Sequence, residues 1–122
     1  MPVTLIAATL FACLAPVAVD GDTLRCAGVG SVRLLAIDAP ELAGHCRRGR
    51  RCVQGDGVAS KMHLVRLLER GAVRCRPAGR DVYDRVLARC TAAGEDLSCA
   101  MVARGFAVER YGRLNCRLPA RR

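Results

Sequence analysis

The sequence predicts a mainly β fold with inserted helix, closed into a small, partly open barrel. Three observations predict it. Short β-rich stretches alternate with turn signals carrying Gly, Pro or Asp. Only one long stretch, residues 57–70, repeats apolar residues at helical spacing, through Val58, Met62, Val65 and Leu68. At 122 residues the chain has room for one domain with a modest core.

Taken in order, residues 3–15 form an apolar run too short to cross a bilayer as a helix. The run has the length of a leader's apolar part but lacks a basic start. Residues 1–15 are therefore expected to be a signal peptide or an extension of the first strand, and residues 16–122 a single domain. Residues 16–19 lead into a turn at Asp20-Gly21. Residues 23–26 read as a strand and 27–30 as a turn. Residues 31–37 form a second strand, apolar on both faces except for Arg33. An arginine there is costly unless it is paired. Residues 41–55 are a loop, in which Cys46-Arg47-Arg48-Gly49-Arg50-Arg51-Cys52 places four arginines between two cysteines. A local disulfide would present a basic loop, though a plain solvated charge run is the blander reading.

Asp56 is placed to cap the helix and Gly71 to stop it. Residues 72–76 and 85–91 read as a hairpin, its first strand broken at Pro77-Ala78-Gly79. With Arg80 opposite Arg85, Cys75 falls opposite Cys90, within reach of a cross-strand disulfide. Ser98 is expected to cap a short helix ending at Gly105. Residues 106–108 make a last strand, and Cys116 can tie the tail to Cys99. His63 has no visible partner and is read as structural.

Net charge is +9 and the sequence pI about 9.8, which favours polyanions as partners. The lone lysine, Lys61, among 20 basic residues points in part to codon usage instead. Eight cysteines in so short a chain fit an oxidising compartment. The absence of Cys-x-x-Cys argues against a zinc ribbon or a redox motif. Export, periplasmic or secreted, is expected. Cys13 is read as kept for a disulfide, because lipid anchorage at that residue would leave an odd number of cysteines.

The chemistry concentrates in Asp20-Gly21-Asp22-Thr23, Arg33 and Asp38-Ala39-Pro40-Glu41. Hard cations take several oxygen ligands, and aspartates at turns supply them. A guanidinium grips two phosphate oxygens at once, and Glu41 can activate a water.

With the later blocks at residues 81–88 and 101–108, these residues resemble the staphylococcal nuclease (thermonuclease) family, over roughly residues 17–111. The resemblance implies a five-stranded OB-fold Greek-key barrel with two or three short helices. It implies a calcium-dependent nuclease that cuts phosphodiester bonds in DNA and RNA with low sequence specificity, breaking P–O5′ and leaving 3′-phosphates. Carried over by position, Arg33, Glu41 and Arg85 are the catalytic residues. Asp22, Asp38, the Ala39 carbonyl and nearby Asp20 hold Ca²⁺, and Tyr83 and Tyr111 contact substrate. Val82 and Asp84 depart from the family pattern: the first implies a lost phosphate contact, the second an acid able to pair with Arg85 and draw it from substrate. Alanine at Arg33, Glu41 or Arg85 is expected to cut turnover and leave folding intact. The protein is expected to be a monomer without a membrane span. The alternatives are a non-catalytic OB-fold nucleic-acid-binding protein of the cell envelope, or a disulfide-stapled envelope protein with another partner.

Overall fold

The computed structural model describes residues 9–116. Strand β1 (Phe11–Ala18) pairs antiparallel with β2 (Thr23–Ala27), and β2 with β3 (Gly30–Leu34). A two-residue strand, β4 (Ile37–Asp38), follows, then a long loop and helix α1 (Gly57–Leu68). Strand β5 (Val73–Arg80) runs antiparallel to β1, and β6 (Val86–Ala92) antiparallel to β5. The barrel closes where β6 lies parallel to β3, with Val32 opposite Val86 and Leu34 opposite Ala88. A closed five-strand barrel with this Greek-key order is the OB fold. The short β7 (Glu95–Asp96) extends the sheet beside β6, α2 (Leu97–Ala103) follows, and β8 (Val108–Glu109) pairs with β4.

Inward residues of every layer meet in one core, with Leu24, Val32, Leu34, Ile37, Leu64, Leu97 and Met101 fully buried. With few aromatics available, four disulfides supplement it: Cys13–Cys26, Cys46–Cys52, Cys75–Cys90 and Cys99–Cys116. Each such bond in a small domain adds roughly 2–4 kcal/mol by constraining the unfolded chain. Cys13 is thus held in a disulfide as expected. Of the apolar run at residues 3–15, the part from Phe11 onward belongs to β1. Of the rest of the expected leader, residues 1–8 lie outside the described residues.

Several boundaries differ from expectation for local reasons. Residues 31–37 are not one strand. The chain turns at Ala36, which has φ 64°, and the freed carbonyls find partners: Ser98 Oγ donates to Leu35 O at 3.0 Å and Arg110 N to Ala36 O at 2.9 Å. Pro77 does not break β5. It sits at a bulge, beyond the three-residue stretch where β1 flanks β5, so its missing N–H costs no ladder bond on that side. The bulge also puts Arg80 opposite Val86, not Arg85, while Cys75 still faces Cys90.

Asp56 caps α1 as expected, accepting from Ala59 N at 3.0 Å. The buried face, however, carries Ser60, His63, Leu64, Leu67 and Leu68, while Val58 and Met62 are exposed. The cap of α2 is Asp96, which accepts from Cys99 N at 2.8 Å. Ser98 lies inside that helix.

Two glycines let α1 pack on the turns that carry the acidic residues. A Cβ on Gly21 would lie 1.8 Å from Ser60 Oγ, and one on Gly57 would lie 2.2 Å from the Glu41 carbonyl oxygen. The helix is seated directly against the backbone of both acidic turns.

Candidate active site

Asp22 clamps the turn between β1 and β2 to the end of β4. Its Oδ1 accepts from Thr23 Oγ1 and its Oδ2 from the Ala39 backbone N–H, both at 2.9 Å. Its own N–H donates to Asp20 Oδ1 at 3.1 Å. Arg33 rises from β3 between two acids, its Nη2 3.5 Å from Asp22 Oδ2 and 3.5 Å from Asp38 Oδ1. Those two oxygens therefore lie no farther apart than twice that distance. Nη1 of Arg33 donates to the Leu34 carbonyl at 3.2 Å. The fold thus solves the problem of a charge in a buried strand: its partners arrive from the β1–β2 turn and from β4.

Asp38 is fully buried and carries more than Arg33. Arg50 Nη2 lies 3.0 Å from each of its oxygens, Arg110 Nη1 bonds its Oδ2, and Arg50 Nη1 reaches Glu41 Oε2 at 2.7 Å. Burial pushes the Asp22 carboxyl up to about 7; Arg33 pulls it down and Asp20 pushes it up again. Asp22 is thus an acid short of positive charge, beside a second acid with a surplus.

The facing wall is the tip of the β5–β6 hairpin. Asp81 Oδ1 accepts from the backbone N–H of Tyr83 and of Arg85, both at 2.9 Å, and Oδ2 accepts from Arg85 Nε at 2.6 Å. Burial pushes the Asp81 carboxyl up, but these hydrogen bonds outweigh it and hold the group below its ordinary value. Asp81 is what fixes Arg85 in place. A guanidinium held through Nε can still fork onto two oxygens through its Nη pair. The Tyr83 ring has the Arg85 guanidinium 5.3 Å and the Arg47 guanidinium 4.7 Å from its centre. Arg47 Nη1 also donates to the Tyr83 hydroxyl at 2.6 Å.

Between floor and wall lies a cleft of about 990 Å³. Asp20, Asp22, Arg33, Glu41, Tyr83, Arg85 and Tyr111 all line it. Asp38 and Ala39 are buried behind them. Contrary to the expectation from its place next to Arg85, Asp84 does not pair with that residue; it pairs with Arg80 at 3.4 Å, and Asp81 holds Arg85. Sequence reasoning missed Arg50, Arg110 and Asp81. Arg50 carried a signal as one of the arginines between Cys46 and Cys52, and Asp81 as the first residue of the block at 81–88; Arg110 carried none.

The oxygen donors of Asp20, Asp22, Asp38, Glu41 and the Ala39 carbonyl are of the type a hard cation such as Ca²⁺ takes. Among the described residues, though, no group of three or more acidic, His or Cys side chains stands together ready to hold a metal. The guanidiniums of Arg33, Arg50 and Arg110 are interleaved with the acids.

A small OB barrel with arginines and acids converging on one cleft defines the class. The model of the family described as staphylococcal nuclease homologue matches residues 31–117. This chain belongs to that family. It is 36% identical over 92 residues to a Haemophilus influenzae protein named an uncharacterized endonuclease, an overlap of 72% of this chain and 46% of that protein. It is also 36% identical over 94 residues to a succinoglycan biosynthesis protein of Rhizobium meliloti, covering 75% of this chain and 49% of that one. The chain spans about half the length of these curated relatives. Among the described residues, no helix is long and apolar enough to cross a membrane.

Proposed function

We propose that this protein is a calcium-dependent nuclease hydrolysing phosphodiester bonds in DNA and RNA with low sequence specificity. One observation carries the reading: Arg33 reaches Asp22 and Asp38 alike at the floor of a cleft that Glu41 and Arg85 also line. A phosphodiester is an anion and repels an attacking water. Its hydrolysis needs the charge neutralised, the water oriented, and the extra charge of the five-coordinate transition state held by groups already in place.

Arg33 and Arg85, which line the same cleft, take the two guanidinium roles. Glu41 is the general base, accepting a proton from the water. Asp22, Asp38 and the Ala39 carbonyl, with Asp20 beside them, would hold Ca²⁺, which supplies Lewis-acid polarisation of a phosphate oxygen when bound. Tyr83 and Tyr111 offer ring faces to sugar and base. Guanidiniums and ring faces grip phosphate and stack on any base, and neither reads base edges, which supports low specificity. Four disulfides support an oxidising, exported setting, and the single domain takes in β1 from Phe11 onward, with the protein read as a monomer.

The test is degradation of plasmid DNA and of RNA by the oxidised protein, with Ca²⁺ and with a chelator. Fragments with Ca²⁺ and none with chelator are expected; intact substrate at every Ca²⁺ concentration would overturn the reading. A second reading, an OB barrel that binds nucleic acid without cutting it, is favoured by the two extra arginines on Asp38. It predicts salt-sensitive binding without Ca²⁺ and no product.

A further inference from the structure

The geometry points to Arg50 as an internal cation that occupies the acid cluster and must be displaced before a divalent ion enters, so that this residue sets how much of the ion the site requires. The inference rests on the calcium reading above and adds to it.

Three guanidiniums converge on Asp38, but their attachments differ. Arg33 comes from the barrel wall with its side chain 10% exposed. Arg110 follows β8 and also donates to the Arg51 carbonyl at 3.1 Å. Arg50 comes from the loop between β4 and α1, its side chain 33% exposed, and spans Asp38 and Glu41 with three hydrogen bonds. Its guanidinium thus sits between the acid assigned to the ion and the acid assigned to the water. It can also withdraw toward solvent without opening the barrel, a route closed to Arg33.

The loop is built to hold it there. Cys46 and Cys52, six residues apart, close the loop. Arg50 N donates to the Arg47 carbonyl at 3.0 Å, a tight turn inside the ring. Arg47 reaches across to Tyr83 on the hairpin and pins the loop's other side. A cation tethered this tightly competes at high effective concentration, and loosening the tether lowers that concentration. If Arg50 stands clear of the acids in about one molecule in ten, the ion's affinity is reduced about tenfold.

Calorimetric titration of the oxidised full chain with Ca²⁺ tests this, using the wild type, Arg50→Gln and Arg48→Gln. Arg48 is exposed in the same loop and controls for the loss of one positive charge. Arg50→Gln is expected to bind Ca²⁺ about tenfold tighter than either the wild type or Arg48→Gln. The double variant Cys46→Ser, Cys52→Ser, which keeps Arg50 but opens the ring, should move the same way by a smaller factor. Equal or weaker binding by Arg50→Gln than by Arg48→Gln would overturn the displacement and leave the calcium site standing. No binding by any variant would overturn both.

Discussion

The floor of the cleft and its facing wall hold their arginines in opposite ways. Arg33 is rooted in β3, its side chain 10% exposed, between two carboxylates with side chains 7% and 0% exposed. Arg85 stands at a hairpin tip, its side chain 32% exposed, held by Asp81 and laid beside Tyr83. Charge buried in the floor belongs to the fold as much as to the site. Charge on the wall belongs to the site alone. The difference means that equivalent substitutions in the two places will not report the same thing.

Arg33→Ala leaves buried Asp22 without its guanidinium, while Asp38 keeps Arg50 and Arg110, and removing one partner of a buried pair costs about 3–5 kcal/mol. A large fall in the urea midpoint is the expected result, contrary to the sequence-based expectation of intact folding. An unchanged midpoint would show that the floor arginine is not structural. Arg85→Ala should cost less than Arg33→Ala, about 1 kcal/mol, because Asp81, its part-buried partner, keeps two backbone N–H donors, while cleavage falls about 10²- to 10³-fold, the usual loss of one transition-state donor. Equal losses of stability in the two variants would erase the distinction between floor and wall.

Gly21→Ala comes next in size. The new Cβ drives the acidic turn off Ser60, an overpacking cost of about 1–3 kcal/mol. Denaturant unfolding measures it, and wild-type stability would show that α1 can move away freely.

Asp22 gives a pH signature. Its folded carboxyl is raised from 3.8 to about 7, so the folded state binds the proton more tightly than the unfolded state does. The metal-free protein should therefore lose stability as pH rises through that window. Asp22→Asn does not titrate and should gain on the wild type across the same range. A difference between the two that stays flat with pH would show that the carboxyl is not raised.

The smallest effect is expected from Tyr83→Phe, which keeps the ring face and loses only the exposed bond to Arg47. A stability change under about 1 kcal/mol is expected.

Local features were legible in the sequence: the Asp56 cap, the Asp20-Gly21-Asp22 turn, and the facing of Cys75 and Cys90. Each depends on residues a few positions apart or on a strand register. The turn at Ala36 was not legible, because no Gly or Pro marks it; its carbonyls are satisfied by Ser98 and Arg110, far along the chain. The same limit hid the partners of Asp38. Arg50 is 12 residues away and Arg110 is 72. Nothing in a run of arginines says which one turns inward, since the ring closed by Cys46 and Cys52 decides that in three dimensions. Asp81 opens the block at residues 81–88 with nothing local to mark its role, yet it bonds both the backbone and the guanidinium that form the wall.

The central claim is that Arg33 and Arg85 act together on one phosphodiester. The direct measurement is kcat/KM for DNA cleavage by Arg33→Lys, Arg85→Lys and the double variant, which keep the charge and remove the planar fork. Each single variant should be strongly impaired, and the double should lose less than the product of the two, because both act on one transition state. Cleavage at the wild-type rate by either single variant would contradict the account.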